Sequence, residues 1–249
     1  MLRQPAPAPG SEPMTLRVEG DALLVDTGTW ARLAGAEEVD PELAQVASTV
    51  PGGEQALEAG RDPRAVVQVQ TATPGGVFTH EAWVGEDALA VLLDLGLGED
   101  RRLLVLPPDH LAASLARMVG LAPRSHAPAD REPRAVSEAD LEAWFAQGEE
   151  APADAGVPRR PADVGQGAES HGTPSVGRAG ADLGADRAWR LVAAAVGSDD
   201  APLMLAAVDG RDSGLWIVGA DPDLRLVPVT PTEVWRELAS VLLALTPPT

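Results

Sequence analysis

Four amino-acid types are missing from the 249 residues of this chain: Cys, Lys, Tyr and Asn. Without Cys there is no disulfide, no thiolate nucleophile and no thiol-bound metal, and without Lys there is no Schiff-base lysine. All 19 basic residues are therefore Arg, and 38 acidic residues bring the formal net charge to −19. This charge argues against binding to nucleic acid and to an anionic membrane surface, because both require basic patches.

Long apolar runs are missing as well. The longest stretch, residues 234–245, contains Arg236 and Glu237 and is too short to span a bilayer, so we expect no membrane insertion. The first residues are rich in Pro and Ala and lack the apolar region of a signal peptide. We therefore expect a cytoplasmic protein, with enough chain to bury a sizeable core.

The groups that carry enzyme chemistry form no recognisable constellation. The four histidines are far apart in sequence and lack metal-ligand spacing: His80, His110, His126 and His171. Acidic pairs lie in predicted turns or linkers, and no dinucleotide fingerprint, P-loop or G-x-S-x-G motif occurs. We predict no catalytic, cofactor-binding or metal site, and an enzyme of unrecognised type is the least favoured alternative.

Composition divides the chain into four parts. We predict a flexible tail over 1–14, a first half over 15–121, an insert rich in Pro, Gly and Ala over 122–186, and a second half over 187–249. Most of the insert has few apolar residues to offset the entropy cost of ordering, and we expect 148–181 to be disordered.

Hydrophobic periodicity predicts strands and helices in both halves. The first half should contain strands at 65–70, 77–84 and 102–106, and helices starting at Asp40, over 86–95 and over 108–121. The second half should contain four strands, at 191–196, 203–208, 214–218 and 224–229, and a last helix. Thr230, Pro231 and Glu233 form a capping box at the start of that helix.

One apolar island interrupts the insert, a short predicted helix near 137–146. Ser137 can cap this helix together with Asp140. Its apolar face consists of Leu141, Trp144 and Phe145. Docking on this chain and docking on a partner are both open. Because Trp is enriched at binding hot spots, we take these three residues as candidate partner contacts.

The two halves end alike. Residues 102–108 and 225–231 both give a short apolar strand followed by Pro, and each leads into an amphipathic helix. Chance similarity between two strand–Pro–helix units is the alternative explanation. We predict an α+β fold with a central, mostly antiparallel sheet from two quasi-equivalent halves, related by a pseudo-two-fold axis, with flanking helices.

This layout resembles the EspG family, the cytosolic chaperones of type VII (ESX) secretion. The likeness rests on the segment 39–44 (VDPELA), on the strand–Pro–helix ending of both halves and on the quasi-repeated layout itself. It covers most of 15–121 and 187–246. The long insert between the halves has no clear counterpart in the family pattern.

The resemblance implies a function in protein binding. An EspG-like chaperone binds a helical secretion substrate, of the PE–PPE or related small helical classes, and keeps it soluble before export. The alternative within the binding class is an immunity or scaffold protein whose acidity complements a basic partner. The sequence leaves the identity of the partner and the oligomeric state open.

Overall fold

The computed structural model describes residues 15–20, 22–34, 36–96, 98, 100–123, 132–145, 185–210, 213–220 and 223–245. Within them the chain is an α+β fold, and the strand pairs described below are all antiparallel. The predicted flexible tail and the predicted disorder over 148–181 lie outside the described residues.

The strands are β1 (Leu16–Glu19), β2 (Ala22–Asp26), β3 (Ala65–Thr73), β4 (Gly76–Val84), β5 (Leu89–Asp94), β6 (Asp100–Leu106), β7 (Arg134–Ala135), β8 (Ala185–Ala195), β9 (Leu203–Gly210), β10 (Gly214–Gly219) and β11 (Arg225–Val229). The α-helices are α1 (Thr27–Leu33), α2 (Pro41–Ala47), α3 (Gly53–Arg61), α4 (Leu111–Met118), α5 (Glu138–Phe145) and α6 (Pro231–Leu245), and a 3₁₀ turn spans Pro108–His110.

The chain packs into two compact units. The first contains the residues up to Val66 together with Ala82–His110, and the second contains Val67–Glu81 together with the residues from Leu111 onwards. Strands β3 and β4 therefore pass from one unit to the other. These units are defined by packing and not by the sequence repeat, so the predicted halves, 15–121 and 187–249, stay a prediction.

The first unit packs helices α1–α3 against strands in the order β1-β2-β6-β5. Leu103 of β6 lies opposite Leu23 on one side and Leu92 on the other, and all three are buried. Trp30 of α1 meets Trp83 edge to face, with ring centroids 5.8 Å apart. Hydrophobic burial of this kind is the main force that holds such a unit together.

Two helix starts in the first unit follow from the sequence. Asp26 caps α1 by accepting a hydrogen bond from the Thr29 backbone N–H. Asp40 caps α2 by accepting from Glu42 N–H, and Pro41 occupies the first helical position. Both arrangements satisfy backbone donors that a helix leaves free at its N-terminus.

The prediction of a helix over 86–95 is wrong. This segment forms strand β5, which pairs with β6 and is buried from Leu89 to Leu92. A strand that is buried on both faces carries a continuous apolar run, and such a run lacks the alternation by which a strand is recognised. The leucines at positions 89, 92 and 93 also match helical spacing, which led to the error.

Helix α3 was not predicted. The Pro51-Gly52-Gly53 sequence indicates the end of α2, but the same glycines begin a new helix. Gly52 has a φ of 77°, which favours Gly, and a Cβ at this position would lie 2.9 Å from Cγ1 of Val105. The turn therefore reverses the chain tightly enough for α2 and α3 to pack as neighbours.

The second unit contains strands in the order β3-β8-β9-β10-β11-β7. The four strands predicted for the second half correspond to β8–β11, although β8 begins several residues earlier than expected. Helix α6 packs against α4 and β8. Its capping box forms as predicted, with Thr230 N donating to Glu233 Oε2 at 2.6 Å and Glu233 N donating to Thr230 Oγ1 at 3.2 Å.

Candidate partner interface

Helix α5, the predicted island, begins with a reciprocal capping box. Asp140 N donates to Ser137 Oγ at 3.1 Å, and Ser137 N donates to Asp140 Oδ2 at 3.3 Å. The chain just before it forms β7 on β11, and Val136 N donates to Leu224 O at 3.2 Å. The start of α5 is therefore held at the edge of the second unit's strands.

The apolar face of α5 docks on its own chain. Trp144, only 4% exposed, and Phe145 are buried, and Leu141 is half-buried against them. Their hydrophobic cluster also contains Ala72, Val136, Ala188, Val208, Trp216 and Leu226. Of the two roles that the sequence leaves open for this helix, docking in cis is thus observed. Partner contact through Leu141, Trp144 and Phe145 stays a prediction.

Arg190 of β8 clamps α5 from the side of the strands. Its Nε donates to Gln70 Oε1 at 2.6 Å and its Nη1 to Glu142 Oε1 at 2.8 Å. Its guanidinium carbon also lies 4.6 Å from the centroid of the Phe145 ring. Arg suits this position because its planar group can make hydrogen bonds at its edge and stack on an aromatic face.

The two tryptophans of this cluster differ in hydrogen bonding. Trp216 Nε1 donates to Ser213 O at 3.0 Å, and its ring lies under the guanidinium of Arg134. Trp144 Nε1 is buried and has no hydrogen-bond partner among the described residues. A buried donor without a partner reduces stability. The burial of Trp144 therefore stabilises the docked position of α5 less than the burial of a hydrogen-bonded Trp would.

Exposed apolar side chains mark two other places in the second unit. On α6, Trp235 is 42% and Leu243 76% exposed. At the end of the β8–β9 hairpin, Val196, Leu203 and Met204 are exposed. A Trp in a helix is more often a core residue than a contact residue, but Trp235 is exposed. The inner face of α6 is filled by Val234, Leu238, Val241 and Leu245, and Trp235 is rotated away from it.

The hairpin surface was missed from the sequence. Its signal was present, since Val196, Leu203 and Met204 flank a loop that contains Asp199 and Asp200. The alternation of residues along a strand predicts which side chains share a face. It does not predict whether the strand extends beyond the neighbouring strands, where its side chains are exposed. Exposure at a strand end depends on the strand lengths, which only the structure supplies.

A cleft of about 590 Å³ lies beside β7 and is lined by Pro133, Ala135, Val136, Asp223, Leu224 and Arg225. Its two charged groups lie close together, with Arg225 Nη2 3.7 Å from Asp223 Oδ2.

In the part of the chain that the structure describes, no group of three or more acidic or histidine side chains is placed to hold a metal. Among the same residues, no helix is long and apolar enough to cross a bilayer.

Among the described residues, shifted pKa values belong to carboxyl groups at helix ends and to Arg61, whose pKa is raised by its hydrogen bond with Glu58. Burial raises the pKa of Asp26, but hydrogen bonds from Thr29 and Thr15 and the charge of Arg32 outweigh this, so the pKa is lowered. The hydrogen bond from Arg61 lowers the pKa of Glu58. These carboxylates stabilise helices and lie on elements other than α5 and the β8–β9 hairpin.

The chain is thus an antiparallel α+β protein whose described surface offers apolar contact regions. Its fold is similar to the solved structure of the Mycobacterium tuberculosis type VII secretion system chaperone EspG5 in complex with a PE25–PPE41 dimer. The two chains are 16% identical, the match covers 92% of this chain and 98% of that chain, and the TM-score is 0.50. The resemblance to EspG that the sequence suggested is confirmed at the level of the fold. No family model and no curated protein matches this sequence.

Proposed function

We propose that this protein is a cytoplasmic chaperone or adaptor of type VII secretion. In this proposal it binds a helical secretion substrate, of the PE–PPE or a related class, and keeps that substrate soluble until export. The proposal includes no catalytic step.

The observation that carries the proposal is the match to EspG5 along almost the whole of both chains. EspG5 forms a complex with a PE25–PPE41 dimer, and a chain with the same fold has the same framework on which to present a binding surface. Because fold alone does not fix function, the second support comes from the chain's own surface. Its exposed apolar side chains include Val196, Leu203 and Met204, which are grouped at the end of the β8–β9 hairpin, and such a group is typical of a contact site.

The quasi-equivalence of the two halves is part of the same proposal. In the first half, β6 is followed by Pro108 and then by α4. In the second half, β11 is followed directly by Pro231 as the first residue of α6. This shared order supports two related halves, 15–121 and 187–249, with a pseudo-two-fold axis between them.

Contact with the partner through Leu141, Trp144 and Phe145 also belongs to the proposal. Leu141 is half-buried, so a partner can reach it while α5 stays docked. Trp144 and Phe145 are buried, so a partner reaches them only where α5 moves away from the strands. Leu141 is therefore the first of the three residues to substitute in a binding assay.

The test is co-expression with the small helical secreted proteins encoded near this chain, followed by size-exclusion chromatography. We expect one of them, or a pair, to be soluble and to co-elute with this chain, and to aggregate when expressed without it. An unrelated acidic protein of similar size serves as the control for unspecific solubilisation. Failure of every candidate to co-elute with the folded chain would reject the chaperone function and favour an immunity or scaffold role.

A further inference from the structure

The end of the β8–β9 hairpin is an exposed apolar projection. Residues 196–204 are all exposed, and three of them are large and apolar. Val196 is 58% exposed, Leu203 39% and Met204 75%. Exposed apolar side chains are ordinary when they are single, but a group of them at one point of a surface indicates a contact site.

The projection presents apolar groups on both faces of the hairpin. Leu203 lies opposite Ala193, and Met204 lies opposite Val192. Neighbouring residues of a strand point to opposite faces, so Leu203 and Met204 lie on different sides. Val196 follows the end of β8 and lies in the turn. A surface of this shape suits insertion into a groove better than contact with a flat face.

The turn itself does not depend on these apolar side chains. Gly197 adopts a φ of 76°, and Ser198 N donates to Ala195 O at 3.4 Å. Ser198 Oγ and Asp200 are joined by two hydrogen bonds, with Ser198 Oγ donating to Asp200 Oδ2 and Asp200 N donating to Ser198 Oγ. The loop is thus shaped by its backbone and polar groups, which leaves Val196, Leu203 and Met204 available for contact.

Charge indicates the kind of surface that would receive the projection. Residues 191–210 contain three charged side chains, all acidic: Asp199, Asp200 and Asp209. Asp209 is buried, so the exposed charge at the end of the hairpin comes from Asp199 and Asp200. A complementary surface therefore has apolar side chains at its centre and cationic ones at its rim.

A second copy of this chain suits that description poorly. The chain has no Lys and carries twice as many acidic as basic residues. Many of its described arginines already lie against carboxylates of the same chain, at positions 17, 61, 64, 101, 190 and 225. A basic rim is thus more readily supplied by a different protein.

We propose that the end of the β8–β9 hairpin, centred on Val196, Leu203 and Met204, inserts into an apolar groove with a basic rim on the helical substrate. This inference rests on the proposed chaperone function and names the surface that recognises the substrate. Grooves between packed helices are lined by apolar side chains, and the adaptable side chain of Met204 suits a surface that meets more than one such groove.

The test compares substitutions at the hairpin with a matched one elsewhere. The probe is the purified helical protein that co-elutes with the wild-type chain. Val196→Asp combined with Met204→Asp should weaken its binding about tenfold or more. Leu95→Asp, at an exposed apolar residue that follows β5 in the first unit, should change it by less than about threefold. Far-UV circular dichroism and thermal unfolding of each variant establish that it is folded.

A second variant tests the charge. Asp199→Asn should weaken binding at low salt and reduce the salt dependence of the affinity, because it removes one exposed carboxylate without changing the apolar contacts. If the folded hairpin variants bind the probe as tightly as wild type, the hairpin inference is wrong while the chaperone function stands. If the wild-type chain captures no helical protein, the chaperone function itself fails.

Discussion

The guanidinium of Arg190 lies over the ring of Phe145, and so joins the middle of β8 to the last residue of α5. The same group donates hydrogen bonds to Glu142 on α5 and to Gln70 on β3. One side chain therefore connects the helix to two strands. Because Arg190 is partly exposed, solvent weakens each of these contacts. They hold α5 in place mainly through their combined effect.

We predict that Arg190→Ala loosens α5 without unfolding the second unit. The loss of the stacking and of two hydrogen bonds should lower the free energy of unfolding by about 1–2 kcal/mol. Trp144 should then become more exposed to water, which is measured as a red shift of tryptophan fluorescence and as faster quenching by acrylamide.

The matched control for this prediction is Arg225→Ala. Arg225 forms a more exposed ion pair with Asp223, at 3.7 Å, and its removal should change the stability by less than about 0.5 kcal/mol. Equal effects of the two substitutions on stability and fluorescence would show that Arg190 does not hold α5.

A second prediction concerns the unpaired indole of Trp144. Trp144→Phe removes a buried N–H that has no partner among the described residues, whereas Trp216→Phe breaks the hydrogen bond to Ser213 O. Both variants lose similar apolar volume from one cluster. We expect Trp216→Phe to be the more destabilising by about 1–2 kcal/mol.

Urea unfolding of the two variants, followed by far-UV circular dichroism, measures this difference directly. Equal decreases in the free energy of unfolding of the two variants would contradict the prediction. They would mean that Trp144 Nε1 has a hydrogen-bond partner in solution. Trp144→Ala serves as the reference for loss of the whole side chain and should cost about 3–5 kcal/mol.

The local structure of this chain could be predicted from the sequence wherever a short motif determines it. The capping residues Ser137 and Thr230 form the predicted hydrogen bonds, and α2 starts at the predicted Asp40-Pro41. In each case the partner atoms lie within three residues of each other, so no distant contact is needed to specify them.

Features that depend on contacts between residues distant in sequence could not be predicted from the sequence. β5 becomes a strand because it lies beside β6 and under the helices of the first unit, and its own residues do not distinguish that from a helix. The same limit applies to the candidate interface. The burial of Trp144 and the exposure of Trp235 and Met204 depend on which elements pack together. The type of side chain alone therefore did not predict which of these residues is buried and which is exposed.

A third prediction is a pH dependence of the first unit through Asp26. Its pKa in the folded protein is lowered from the ordinary value of 3.8, although burial opposes the shift, because Thr29 and Thr15 donate hydrogen bonds to the carboxylate and Arg32 is nearby. A lowered pKa means that the carboxylate contributes stability above about pH 4 and that this contribution is lost as the pH falls through the folded pKa.

The measurement compares wild type with Asp26→Asn, in which the side-chain oxygen can still cap α1 but carries no charge. Wild type should be the more stable at about pH 7, and the difference should shrink toward about pH 3. A stability difference that stays constant over this range would show that the charge of Asp26 contributes nothing.

The last prediction concerns Gly60, which lies in α3 against the ring of Trp30. Replacing Gly by Ala inside a helix usually stabilises it by about 1 kcal/mol. Here a Cβ would lie 2.6 Å from Cζ2 and 2.7 Å from Cη2 of Trp30, and 3.2 Å from Cδ2 of Leu33. Since both neighbours are buried in the core of the first unit, they have little room to move. We therefore expect Gly60→Ala to lower the stability by about 1–3 kcal/mol.

Gly75→Ala provides the comparison. Its Cβ would lie 3.6 Å from Thr73 Oγ1, an ordinary contact in the exposed turn between β3 and β4, so the stability should change by less than about 0.5 kcal/mol. Thermal unfolding of both variants decides the matter. A Gly60→Ala protein as stable as wild type would mean that the Trp30 ring can shift, and that α3 packs less tightly than the distances indicate.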